Sequence, residues 1–423
     1  MIIEIRVKNC FAFQDEIIFS MKADMRNKKF ASNVHKENNF NVLKVAGIYG
    51  PNNAGKTCLV KCIRAIKQIL LGEDVDIMPN MFSQNSICEL GVTFLSSGSE
   101  YSYDVKYDSE TREYIYERFA QIYKDKYGNE KEEIWVLKDD QNGQYYCLDP
   151  NLQTMMSIFA GNNLLVYTVD TKKFERLDQL KRLLISFASS IDVINMNNIP
   201  MKKTIELLKN KDAIQEKVVA FIKNADLYLD DYKYGDLENL QLNIEADDKA
   251  EEAVLNLPDQ LLDQIRLVSV YKGIAVPSIL FDSTGTKKIA ALASYIIEAL
   301  EKGRILVVDE LDSSIHFKLT RAIVSMFNNE LNTNAQLICT VHDINLMDCK
   351  RIFRKEQIWF VHKDESGVYV YSLADFTAEK GVRDTTDIME KYRKGILGAL
   401  PDPELINTLL DIKGNKRKEE DDS

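Results

Sequence analysis

The chain of 423 residues has no run of eighteen or more apolar residues, so no segment is expected to cross a membrane as a helix. Its first residues, MIIEIRVKN, carry acidic Glu4 and no extended apolar stretch, so they are expected to form a strand and not a secretory signal. A CxxC pair is also lacking. The seven cysteines (Cys10, Cys58, Cys62, Cys88, Cys147, Cys339 and Cys349) are scattered and odd in number, which argues against a zinc site or a disulfide framework. Such usage fits a reducing cytoplasm. Positive charge is in deficit, with 54 Lys and Arg against 65 Asp and Glu and a net charge of −11. That balance disfavours nucleic-acid binding by the whole surface and leaves a local basic groove open. No heptad pattern lasts long enough for an extended coiled-coil arm. What remains is ordinary soluble composition, 45% hydrophobic and 28% charged, with room for two or three domains.

The chain is organised around residues 44–70, KVAGIYGPNNAGKTCLVKCIRAIKQIL. Val45 to Tyr49 read as a buried strand, and Leu59, Val60, Ile63, Ile66 and Ile69 recur at helical spacing. Between strand and helix lies GPNNAGKT, which fits the phosphate-loop pattern G-x-x-x-x-G-K-[ST]. Gly50 and Gly55 let the backbone fold so that successive N–H groups of the loop, which also holds Pro51, Asn52, Asn53 and Ala54, face a polyphosphate, at a helix start that runs on through Cys58. Lys56 can reach the β- and γ-phosphates of ATP, and the Thr57 hydroxyl can ligate Mg²⁺.

Upstream, IIEIRV and EIIFSM read as two strands, and residues 21–43 as polar and irregular. From about 90 to 148 the segments LGVTFL, YSYDVKY, YIYERFAQIY and EIWVLK alternate and are separated by turn signals, which predicts an antiparallel meander. Its tyrosines fit either a nucleic-acid platform or half-buried strand positions. Residues 150–265 read mainly as helices, among them DQLKRLLISFASSI, KKTIELLKNK and DAIQEKVVAFIKNA. ILVVD and QLICTV are short apolar runs that each follow a helical pattern, which predicts parallel buried strands of an α/β core. IWFVHK and VYVYSL read as a closing pair of strands, and GNKRKEEDDS as a solvated tail.

A second half of a nucleotide site is legible in RILVVDELDSSIH, residues 304–316. Asp309 ends a strand, where it can hold the hydration shell of Mg²⁺, and Glu310 can orient and deprotonate the attacking water. Ser283 and Gly285 precede a helix and offer an anion-binding terminus, and His342 ends the QLICTV strand within reach of a γ-phosphate. Taken singly, these are also a solvated turn, a helix cap and a structural histidine.

In this order the motifs resemble an ABC-type ATPase, and more specifically the ATPase component of phage abortive-infection systems, a branch related to the SMC proteins and to the overcoming-lysogenisation-defect nucleases. The resemblance rests on GPNNAGKT (50–57), YIYERF (114–119), DSTGTKKIAAL (282–292), LVVDELDSSIH (306–316), QLICTVHD (336–343), EQIWFVHKDESG (356–367) and YRKGILGALP (392–401). Thr284, Phe317, Ile396 and Leu397 depart from the usual residues, and the glutamine that senses Mg²⁺ has no evident place, with Gln84 the candidate.

The resemblance implies an α/β fold: an ABC-type head with a mixed sheet, an antiparallel β lobe and a compact helical insertion. It divides the chain into 1–89 and 266–401 as the two parts of the head, 90–148 as the lobe, 149–265 as the insertion and 402–423 as a tail. It further implies Mg²⁺-dependent ATP hydrolysis in a head-to-tail homodimer or higher oligomer. Lys56, Thr57, Asp309, Glu310 and His342 would act within one chain, and Ser283 and Gly285 would complete the site of another. Asp312 would sit in the loop linking the two sites. A separately encoded effector, a nuclease or other toxin, and a phage-derived trigger are the expected partners; a DNA-end or DNA-maintenance ATPase is the alternative. A nuclease within this chain is not expected, because little sequence follows Ser372 and it offers no strand-end carboxylate cluster.

Overall fold

The structure, a computed structural model, describes residues 1–38, 40–125, 129–159, 163–225, 227–235, 258–376 and 387–400, with Leu405 and Thr408. The chain opens with β1 (Ile2–Lys8), β2 (Ile17–Ser20), a short pair β3 (Val34–Glu37) and β4 (Phe40–Leu43), and β5 (Val45–Tyr49). The meander follows as β6 (Ile87–Ser96), β7 (Ser99–Asp108), β8 (Glu113–Lys124), β9 (Glu130–Asp139) and β10 (Gln144–Cys147). Later come β11 (Ile191–Asn195), β12 (Asp231–Tyr234), β13 (Leu267–Tyr271) and β14 (Ile274–Pro277). Last are β15 (Ile305–Asp309), β16 (Gln336–Thr340), β17 (Ile358–Lys363) and β18 (Val368–Ser372).

Two large sheets carry the fold. The first runs β10-β9-β8-β7-β6-β1-β2 and is antiparallel throughout. The meander is therefore continuous with the N-terminal strands. Most of its tyrosines serve packing: Tyr103 is buried, and Tyr101, Tyr107 and Tyr114 lie against the core. The second sheet runs β11-β15-β16-β5-β17-β18, parallel except for the closing pair β17–β18. Its central strands β5, β15 and β16 are buried at every position and mostly apolar, because both of their faces are covered. Ile48, Val307 and Ile338 point into one core, while Val45, Leu306, Val308, Leu337 and Cys339 point into the other.

The helix Lys56–Leu71 fills the space between the two sheets with Leu59, Val60, Ile63, Ile66 and Ile69. The helices Thr284–Lys302 and Phe317–Asn328 cover the opposite face through Leu292, Ile296, Ile323 and Phe327. Each such buried aliphatic contributes about 1.5–3 kcal/mol relative to exposure. Two buried amides fasten these layers. Gln336 accepts from Ile2 N at 2.8 Å and donates to the Ile2 and Leu43 carbonyls at 2.9 and 3.0 Å. Gln357 donates to Val45 O at 2.9 Å and accepts from Asn33 Nδ2 at 2.7 Å. A satellite core joins the helices Lys202–Lys209 and Gln215–Asn224 to Ala290, Ala293 and Ile297.

Three local features differ from the reading of the sequence. Residues 21–43 contain the β3–β4 pair, too short and polar to stand out by alternation. The region expected to be helical yields β11, which leaves it to pair with β15 at the edge of the parallel sheet. The segment after Tyr392 carries none of the nucleotide-site motifs and so reads in the sequence as a docking surface, but it is largely packed. Tyr392, Leu397 and Ala399 are buried while Ile396 and Leu400 are exposed, and the Tyr392 and Tyr371 hydroxyls donate to Ala399 O and Leu397 O at 2.7 and 2.8 Å. Residues 236–257 and the charged end 411–423 lie outside the described residues. Among the described residues, no helix is long and apolar enough to cross a membrane, and the seven cysteines form no disulfide.

Candidate functional site

β5 and β15 flank β16 in parallel register, so their C-terminal ends, at Tyr49, Asp309 and Thr340, open on one edge of the sheet. Ligands of open α/β sheets bind outside this edge. Here the chain turns at Gly50, with φ +151°, passes Asn53 in the left-handed region and enters the Lys56 helix from Gly55, with φ +115°. Gly50 has no room for a side chain, since a Cβ would stand 2.2 Å from Val361 O. The loop and the helix start line a cleft of about 890 Å³ with Glu310, His342 and the turn Lys363–Val368. Its other wall is apolar, with Phe11, Met78, Met81 and Phe82.

Lys56 is a buried cation, 6% exposed. Its Nζ donates to the carbonyls of Gly50 and Pro51 at 2.6 and 2.9 Å, and no carboxylate pairs with it among the described residues. Burial lowers its pKa, and the more distant charges of Asp309, Glu310 and Asp312 act in the opposite sense. The loop therefore curls around a positive charge that only neutral oxygens hold.

Asp309 is buried at the end of β15 and fully engaged. Its Oδ1 accepts from Thr340 Oγ1 at 2.7 Å and from Thr57 Oγ1 at 3.3 Å, and its Oδ2 accepts from Asn195 Nδ2 at 2.9 Å. The Thr57 hydroxyl and the Asp309 carboxylate thus meet as a pair of hard oxygen donors of the kind Mg²⁺ takes. Thr340 also accepts from the Glu310 backbone N at 2.7 Å, and so fixes a left-handed bend at Glu310, φ 57°. Such a conformation costs about 1–3 kcal/mol in a residue with a side chain and persists where the surroundings impose it. It turns Glu310 off the strand axis into the cleft. The Glu310 Oε2 accepts from Asn197 Nδ2 at 2.5 Å. Asp312 accepts from the backbone N of His342 and Asp343 at 2.7 and 2.6 Å, which ties the His342 turn to the loop after β15.

The structure thus brings Lys56, Thr57, Asp309, Glu310 and His342 around one cleft. Ser283 and Gly285 do not line it. Ser283 is an exposed N-cap whose Oγ accepts from Thr286 N at 3.1 Å. Gly285 lies against the loop after Glu310, where a Cβ would stand 2.9 Å from Ser314 O. Gln84 is exposed and does not line the cleft. Asn195 and Asn197, absent from the sequence reading, hold both acidic groups. The signal available for them was their place at the end of an edge strand, and that strand was itself missed.

Residues 170–348 match the family described as "AAA domain, putative AbiEii toxin, Type IV TA system". The matched span contains Asn195, Asn197, Ser283, Asp309, Glu310 and His342 and begins after the Gly50–Thr57 loop. Among solved structures, the chain is similar to the SMC head domain from Thermotoga maritima, with a TM-score of 0.41 and 14% identity over 88% of this chain and 98% of that one. It is also similar to an SmcHead bound to the C-winged helix domain of ScpA, with a TM-score of 0.47 and 12% identity over 90% and 99% of the two chains. No curated protein matches the sequence.

Proposed function

We propose that the chain binds ATP with Mg²⁺ at the 50–57 loop, hydrolyses it, and uses the nucleotide state to gate a separate protein; the match of residues 170–348 to an AAA-domain family supports this reading. The observation that carries the binding reading is Lys56. A buried ammonium held by two neutral carbonyls, at the N-terminus of a sixteen-residue helix, is a site for an anion. The cleft divides into this cationic end and the apolar wall of Phe11, Met78, Met81 and Phe82, which suits a molecule with a polyanionic tail and a flat base.

In this reading Lys56 leaves its own carbonyls for the β- and γ-phosphate oxygens; Thr57 and Asp309 would hold Mg²⁺, which would supply screening of the phosphate charge. Glu310 orients a water and accepts its proton, and His342 contacts the γ-phosphate from the neighbouring turn. Lys56→Ala is expected to abolish binding of a fluorescent ATP analogue and Mg²⁺-dependent phosphate release, while the thermal unfolding midpoint stays near that of the parent. Undiminished binding by Lys56→Ala would take the nucleotide out of this loop.

Exposed Ser283 at a helix terminus supports a dimer in which each chain completes the other's site. The family's description names a toxin–antitoxin system, which supports an output through a partner. Two-metal nucleases need carboxylates converging on ions about 4 Å apart. Among the described residues, no group of three or more His, Cys, Asp or Glu could hold a metal ion. The acids Asp247, Asp248, Glu251 and Glu252 and the EEDD end lie outside the described residues. With its output passing through a partner, the purified chain is expected to leave DNA and RNA intact in Mg²⁺. Cleavage that survives in Lys56→Ala would instead assign a nuclease to this chain.

A further inference from the structure

Glu310 is held by a route that begins on another helix. The Asn197 amide gives its Nδ2 to Glu310 Oε2 at 2.5 Å, and its Oδ1 accepts from Ser313 Oγ at 2.7 Å and from Lys288 Nζ at 3.4 Å. Lys288 also donates to Ser313 Oγ and Ser314 Oγ at 3.2 and 3.1 Å. The three protons of the ammonium thus have three convergent neutral acceptors, a use of lysine unlike a solvated surface charge. A carboxylate only accepts, so the amide is productive in one orientation, with its oxygen turned away from Glu310. The cation and the Ser313 hydroxyl select that orientation.

Lys288 lies on the helix that Ser283 caps. The first turn of that helix is pressed against the loop after Glu310, with Gly285 facing Ser314 O too closely to admit a Cβ. Movement of the helix start is therefore passed to Ser313, Ser314 and Lys288 together. We propose that Lys288 is a positioning residue for hydrolysis: through Asn197 it sets the Glu310 carboxylate, and it couples the Ser283 end of its helix to the catalytic end of its own site. This rests on the ATPase reading above and names a regulatory link within it.

The test uses the full chain and its Lys288→Met, Lys288→Arg, Asn197→Ala and Lys288→Met/Asn197→Ala variants. Lys288→Met is expected to keep the KM for ATP and the thermal midpoint, with kcat lowered about two- to thirtyfold, the range for changes along a coupling route. Lys288→Arg restores most of that loss, since it returns a cation to the same oxygens. The double variant is expected to be no slower than the slower single one, because both changes break one path. Parental kcat in Lys288→Met, a loss confined to KM or to the midpoint, or multiplicative losses in the double variant would each overturn the proposal. The parent and Glu310→Gln run beside them. If Glu310→Gln turns over as the parent does, the ATPase reading fails and takes this link with it. If Glu310→Gln is inactive while Lys288→Met is undiminished, only the link fails.

Discussion

Glu310→Gln is expected to bind ATP as the parent chain does and to turn it over about 10²–10⁴-fold more slowly, the contribution of a positioned general base. The substitution is nearly isosteric and leaves the bend at Glu310 in place, because that bend is imposed through the backbone by Thr340. Thr57 and Asp309 keep their mutual contact and their other partners. The amide oxygen of the new side chain can still accept from Asn197, so no buried donor is stranded. What is lost is the ability to take a proton from water. Affinity for a fluorescent ATP analogue and phosphate release in a single turnover separate the two effects. Equal turnover by parent and variant would remove Glu310 from the chemistry.

Much of this site could be read from the sequence because its parts are local. GPNNAGKT contains its own turn residues and sits between a strand and a helix that declare themselves by pattern. The stretches ILVV of β15 and LIC of β16 are apolar because the sheet they enter is covered on both faces, and each strand ends in a polar residue of the site, Asp309 and Thr340. The parts that stayed hidden depend on pairings distant in sequence. Nothing local announces that the 87–147 meander continues through β6 onto β1. β11 has intermediate burial at Asp192, Val193 and Asn195, so it lacks the uniform apolar texture of its neighbours. An asparagine also reads most simply as a turn former. That Asn195 and Asn197 hold Asp309 and Glu310 depends on contacts across 114 and 113 residues of chain. The buried ends of Tyr392 and Leu397 were missed for the same reason, since their cover is the β17–β18 pair and not their own helix.

An equimolar mixture of Lys56→Ala and Ser283→Arg chains is expected to recover about a quarter of the parental ATPase rate, although each variant alone is inactive. The premise is the separation within one chain. Lys56 lies in the cleft, whereas Ser283 caps an exposed helix start whose neighbour is the loop after Glu310. In a head-to-tail dimer each site joins the Lys56 of one chain to the Ser283 of the other. A mixed dimer then has one site that has lost both groups and one that has lost neither. Random pairing makes roughly half of the dimers mixed, and each mixed dimer keeps one site of two. Arginine at 283 is chosen because it fills the space before a partner's phosphate while leaving Gly285 and the contact with Ser314 untouched. Phosphate release is measured across mixing ratios, with hetero-dimers verified by differential tags. Recovery should peak at equal proportions and vanish at either extreme. Mixtures that form hetero-dimers and stay inactive would mean that each chain completes its own site, and Ser283 would then be a helix cap alone.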